Sequence, residues 1–192
     1  MTTHGRSAIG RMVFGSVTEK VLLSPGSIPV LVVRSLPPEP LSRSSHPPVQ
    51  ELPFAKILVP CDGSDESMSI LSPVAELALL FGSYVILLSV HEDDIPHTLV
   101  SRNGGAAEKA AARLRAEGIQ VNLVTRHGDP AGSILDVCRE QAVDLLAMAT
   151  QGRRGLSRLI LGSVTDEVVR RAQVPMLIAR CGQELPAETA GK

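Results

Sequence analysis

Between residues 54 and 180 short apolar runs alternate with stretches of helical periodicity, and few folds accept that alternation. Lys56-Ile57-Leu58-Val59-Pro60 reads as a strand, and 66–81 as an amphipathic helix stopped by Gly82. Tyr84-Val85-Ile86-Leu87-Leu88-Ser89-Val90 is a second strand, 106–117 a helix ended by Gly118, and 119–125 a third strand. Asp129 before Pro130 has the form of an N-cap followed by proline at the first helical position, opening a helix to about Ala142. A fourth strand at 144–149, a helix at 163–172 and a fifth strand at 174–179 complete the series. Strands joined by single helices run parallel through right-handed crossovers, so the expectation is an α/β fold with a doubly wound five-stranded parallel sheet. Ligands of such sheets sit beyond the carboxyl ends of the strands, where the winding reverses.

The chain also repeats itself. Thr3-His4-Gly5-Arg6 through Gly15-Ser16-Val17-Thr18 returns, at the same spacing, as Thr150-Gln151-Gly152-Arg153 through Gly162-Ser163-Val164-Thr165. Each copy leads into a matching strand, Ile28-Pro29-Val30-Leu31-Val32-Val33-Arg34 in one case and Val174-Pro175-Met176-Leu177-Ile178-Ala179-Arg180 in the other. Residues 35–53 are rich in Pro and Ser and read as a linker; in extended form it spans roughly 60 Å, enough to cross a small domain. The expected organisation is a fragment at 1–34 with a helix and a strand, a linker at 35–53, a complete domain at 54–180 and a flexible tail at 181–192.

Composition removes several function classes. A formal net charge of -1 gives no global attraction for phosphate backbones, and with Trp absent and Tyr84 the lone tyrosine there is no base-stacking platform, so nucleic acid is not an expected partner. No apolar stretch approaches the ~18 residues of a membrane span, and the beginning of the chain lacks a secretory layout. Cys61, Cys138 and Cys181 are odd in number and widely spaced, which argues against disulfides and structural zinc and for a cytoplasmic setting. His4, His46, His91, His97 and His127 are scattered over separate segments and read as surface or loop residues, and Glu92-Asp93-Asp94 as a solvated acidic turn.

The loops after the strands hold the candidate chemistry. The fourth, Ala149-Thr150-Gln151-Gly152-Arg153, lets backbone amides approach an anion, and Gly162-Ser163 presents a second small-residue turn at a helix start. Gly152 and Arg153 on one side and Gly162, Ser163 and Thr165 on the other form a split phosphate cradle, with Asp62 placed to accept from a ribose hydroxyl. Taken alone, such turns are also what any α/β protein needs; the duplicate near the start of the chain tips the reading toward function. Cys61 reads as a small buried thiol rather than a nucleophile.

These residues together resemble the universal stress protein family. The likeness rests on Ile57-Leu58-Val59-Pro60-Cys61-Asp62-Gly63-Ser64, the loop ending at Gly152, the turn Gly162-Ser163-Val164-Thr165 and the closing Val174-Pro175-Met176-Leu177-Ile178. It covers one whole domain at 54–180 and, at 1–34, the last third of another. The resemblance implies a Rossmann-like sheet of the HUP type and a stress-response regulator that binds ATP or AMP, with or without Mg2+. In that frame Asp62 contacts ribose or base, while Pro60, Cys61 and Val90 border adenine. Met148 and Ala149 lead into the cradle, and Gly152, Arg153, Gly162, Ser163, Val164 and Thr165 surround the phosphates. ATP-binding members carry glycine where Ala149 stands; were that backbone left-handed, alanine would cost roughly 1–2 kcal/mol.

The chain has no P-loop, no dinucleotide turn after the first strand and no nucleophile elbow, so binding without efficient turnover is expected. The alternative is a family member that binds no nucleotide and serves as an assembly or interaction module. The first copy enters inside the strand that should lead to its cradle, which fits either a tandem protein lacking its start or a genuine short form. Family members resemble one another in pairing through the last strand. The expectation is therefore a homo-oligomer, a dimer through that strand, with residues 28–34 pairing antiparallel to 174–180 and an unidentified regulatory protein as further partner.

Overall fold

The computed structural model describes residues 28–33, 54–91, 105–151 and 162–181. The linker, the tail beyond 181, the helix of the amino-terminal fragment, Gly152 and Arg153 lie outside these residues. The elements are β1 (Val30–Val32), β2 (Lys56–Pro60), α1 (Asp65–Ser69), α2 (Leu71–Phe81), β3 (Tyr84–His91), α3 (Ala106–Ala116), β4 (Val121–His127), α4 (Pro130–Glu140), β5 (Leu145–Gln151), α5 (Ser163–Arg171) and β6 (Met176–Cys181).

The six strands form one sheet in the order β1-β6-β5-β2-β3-β4. β2 pairs in parallel with both β3 and β5, so the chain winds outward to β4 and then returns to start β5 on the other side of β2. That reversal is the switch point at which a doubly wound sheet opens a crevice. The five parallel strands are those expected, and β1 adds a sixth.

Alternation along the strands supplies two cores, one on each face. Ile57, Val59, Val85, Leu87, Leu145 and Ala147 point to the side covered by Leu71, Val74 and Ala78 of α2 and Ala110, Ala111 and Leu114 of α3. Leu58, Ile86, Leu88, Leu146 and Met148 point to the other, under Ile134, Leu135 and Cys138 of α4 and Val168 and Val169 of α5. A strand whose every residue meets a helix on one face or the other must be apolar throughout, which is why these runs look unbroken in sequence.

The single helix expected at 66–81 is two. Pro73 has no N–H to give to the Ser69 carbonyl, so the ladder breaks and restarts, with Val74 donating to Ile70 at 3.1 Å. α4 stops at Glu140, short of Ala142, because Ala142 turns left-handed at φ 48°. β4 and β6 run to His127 and Cys181, beyond the expected strand ends.

β1 lies antiparallel to β6, with Val30 opposite Ile178, Leu31 opposite Leu177 and Val32 opposite Met176. Val30 and Val32 pack on the core beneath α4 and α5, whereas Leu31 faces the other way and is 46% exposed. The pairing is the one expected for residues 28–34. It also alters the expected dimer: along Met176–Ile178 the last strand already has neighbours on both sides, so a second copy joining there must first displace β1.

Candidate functional site

Beyond the carboxyl ends of β2 and β5 the switch point opens into a cleft of about 400 Å3. Its walls include Pro60, Cys61 and Asp62 from the end of β2, Val90 from β3, Met148 and Ala149 from β5, and Val164 and Thr165 from α5. Eight of the twelve residues singled out in the sequence thus meet in one place. Gly162 and Ser163 form the N-cap and first residue of α5 beside it, and only Gly152 and Arg153 fall outside the described residues. Ser67, Leu88, Pro130 and Ile134 also line the cleft and were missed. The sequence marks Pro130 as the start of a helix, and the loop after β4 delivers that start to the crevice.

β2 continues past its last residue, with the Cys61 amide donating to the Leu88 carbonyl at 2.8 Å, and then breaks away at Gly63. Gly63 has φ 86°, and a Cβ there would stand 3.1 Å from the Ala106 Cβ, so both the turn and the packing require glycine. The turn lets Ser64 fold back on Asp62: its hydroxyl and its amide both donate to Asp62 Oδ1, at 2.6 and 2.9 Å. The same hydroxyl caps α1 by accepting from the Ser67 amide at 3.1 Å. Partial burial raises the Asp62 pKa, but the hydrogen bonds from Ser64 and Ser67 outweigh it and leave the carboxyl below its ordinary value. Asp62 is therefore an ionised acceptor at neutral pH, held in one orientation.

Cys61 is 4% exposed. Burial, helped by the neighbouring Asp62 charge, pushes its thiol up to about 12. It contributes a small apolar wall, as expected, and is no nucleophile at neutral pH.

α5 opens at Gly162 with no side-chain cap among the described residues, and the first intrahelical bond runs from the Asp166 amide to the Gly162 carbonyl at 2.8 Å. The amides of Ser163, Val164 and Thr165 belong to the first turn, where the helix itself provides no acceptor. Gly162 has φ -54°, so nothing in its backbone demands glycine, and among the described residues no atom lies within 4 Å of where its Cβ would be.

Ala149 lies inside β5, paired with Ala179 of β6, and is absent from the residues of positive φ. The condition for a left-handed penalty is not met, and alanine is accommodated there without backbone strain.

A second cleft of about 340 Å3 shares Cys61 and Asp62 with the first and extends toward α3 and the ends of β3 and β4. His91 and His127, read from the sequence as unrelated, face each other across its wall with ring centroids 5.7 Å apart. Among the described residues no group of three or more His, Cys, Asp or Glu is placed to hold a metal ion, and no helix is long and apolar enough to cross a membrane.

The main cleft fits an amphipathic ligand with a flat apolar part and an anionic part. Pro60, Leu88, Val90, Met148 and Val164 offer the apolar walls, Asp62 an acceptor, and the start of α5 an array of donors. The volume is that of a small-molecule site.

Comparison with known proteins identifies the setting. Residues 53–180 match the profile described as "Universal stress protein family". Universal stress protein MJ0531 of Methanocaldococcus jannaschii is 27% identical over 140 residues, covering 66% of this chain and 82% of its own. A universal stress protein from Archaeoglobus fulgidus superposes with a TM-score of 0.69 at 25% identity, over 95% of this chain and 61% of its own. Another, solved in complex with cAMP, superposes with a TM-score of 0.56 at 22% identity, over 66% of this chain and 97% of its own.

Proposed function

Since this chain belongs to the universal stress protein family, we propose that its switch-point cleft binds an adenine nucleotide, ATP or AMP, and that occupancy regulates a stress response without efficient catalysis. The observation that carries the reading is one arrangement: the ionised Asp62 and the uncapped start of α5 border a single cleft with apolar walls.

In this reading the base lies against Pro60, Cys61, Val90 and Met148, and Asp62 accepts from the ribose. The amides of Ser163, Val164 and Thr165 receive the phosphates where Gly162 leaves room for their approach. Gly152 and Arg153 complete the phosphate side, and Mg2+ arrives with the triphosphate. The related protein solved with cAMP is in keeping with an adenine nucleotide as the ligand class. The thiol at the cleft is held protonated, so Cys61 offers no nucleophile at neutral pH. The free thiols of Cys61 and Cys138 suit a cytoplasmic, reducing setting.

Isothermal titration of the full chain with ATP and with AMP tests the proposal, with Asp62→Ala as the control. Saturable heat that the substitution removes is the expected result; no heat from the unaltered chain overturns it.

The second reading, an assembly module, rests on β1. This strand ends the sheet with Ile28 79% and Val33 63% exposed, an apolar margin suited to a second copy or to a regulatory protein. Homodimerisation at this margin is the expected form of assembly, and a strictly monomeric sedimentation profile at all concentrations removes it.

A further inference from the structure

β1 and β6 are versions of one strand: Pro29-Val30-Leu31-Val32 stands for Pro175-Met176-Leu177-Ile178, so Leu31 corresponds to Leu177. Two equivalent strands laid antiparallel are related by a local two-fold axis normal to the sheet, and the register decides where that axis falls. Here it passes through Leu31 and Leu177, which stand opposite one another, with Val30 opposite Ile178 and Val32 opposite Met176. Equivalent residues therefore point to the same face. The β6 of a second copy can take the place of β1 without a slip, Leu177 meeting Leu177 and Met176 meeting Ile178.

β1 fills that place incompletely. It pairs with Met176, Leu177 and Ile178, whereas β6 runs on to Cys181 with only β5 beside it among the described residues. Leu31 is 46% and Val33 63% exposed, while their counterparts Leu177 and Ala179 are each 6% exposed, inside the core that α2 closes. A second copy's β6 arrives with that cover already in place, and its Met176 and Ile178 are larger than the Val30 and Val32 they replace. What β1 has in its favour is the tether. Its end and the start of β2 lie at the same edge of the sheet, three strand spacings or about 15 Å apart, and residues 34–53 join them. A tether of that length presents β1 to β6 at a local concentration on the order of millimolar. At micromolar chain concentration a second copy must therefore bind β6 roughly a thousandfold better than β1 does, or β1 must first be weakened.

We propose that β1 is an internal competitor for the edge of β6: while it is docked the chain is a closed monomer, and its release lets two chains join β6 to β6 about a two-fold axis through Leu177. The axis makes the contact isologous, so assembly stops at two copies. This differs from assembly at the outer margin of β1, because β1 leaves the interface instead of forming it.

The test is sedimentation velocity of the full chain and of Val30→Asp across a concentration series, with hydrogen exchange read on peptides covering 28–33 and 176–181. Circular dichroism checks folding; Val32→Thr, a change of similar volume, serves if Val30→Asp does not fold. The variant is expected to form a dimer at least about tenfold tighter than the unaltered chain, with no larger species. In that dimer residues 28–33 should exchange freely while Met176, Leu177 and Ile178 stay protected, their protection falling on dilution. A variant monomeric at every concentration, open-ended association, or a dimer that leaves 176–178 no better protected than in the monomer overturns the proposal. So does association weakened by the substitution, which would place the contact on β1 itself.

Discussion

The Ser64 hydroxyl donates to Asp62 Oδ1 at 2.6 Å, so this carboxylate at the switch point is held ionised and oriented. Its folded-state pKa lies below the ordinary value, so its contribution to stability is present at neutral pH and is lost as pH falls through the folded value. Asp62→Asn removes that contribution at every pH. Urea denaturation should show the variant less stable by about 1 kcal/mol or less at neutral pH, because exposure screens the charge, with the gap closing in acid. A gap that widened in acid would reverse the sign assigned to Asp62.

Gly162 has an ordinary φ, and among the described residues no atom stands within 4 Å of where its Cβ would be. Gly162→Val should therefore melt within about 3 °C of the unaltered chain. If the phosphates follow the proposed path past the start of α5, the added methyl groups stand in it, so ATP affinity should fall about tenfold or more while adenosine binding changes little. Equal losses for ATP and adenosine would show that the phosphates do not pass there.

Ala149 is extended and paired in the sheet. Ala149→Gly relieves no strain and loosens a strand, so thermal unfolding should report a loss of roughly 0.5–1 kcal/mol. ATP affinity measured by titration should stay within about threefold.

Asp129 Oδ2 accepts from the Gly132 amide at 2.6 Å and caps α4. Asp129→Ala should lower stability by about 1 kcal/mol in a denaturant series. Because Pro130 and Ile134 of the same helix line the cleft, nucleotide affinity should fall with it.

Val30 packs on the core beneath α4 and α5 while opposite Ile178. A charge there has no partner among those apolar neighbours, so Val30→Asp should expel β1 and bare the flank of β6. Sedimentation velocity should then show association that grows with concentration, beyond any shown by the unaltered chain.

What the sequence revealed was whatever depends on neighbours along the chain. The β2, β3 and β5 runs stood out because both their faces are buried, and Asp129-Pro130 announced α4 because a cap is a local device. Strand ends were harder: Thr125, Arg126 and His127 belong to β4 yet carry no apolar signal. Pro73 marks the break between α1 and α2 and was passed over because apolar periodicity continues through it. Pro60, Cys61, Asp62 and Val90 lie at or just after strand ends and could be found by that rule, whereas Ser67 and Ile134 reach the cleft from helices. The pairing of His91 with His127 is set by the register between two strands thirty-six positions apart, 91 to 127, which no local pattern records.

Asp62 stands on the partition between two hollows. A carboxylate so placed is felt on both sides: a positive charge set against it in one hollow alters the field in the other. Were both hollows filled at once, reciprocity of linked equilibria would require that whatever one guest does to the other's affinity be returned in equal measure.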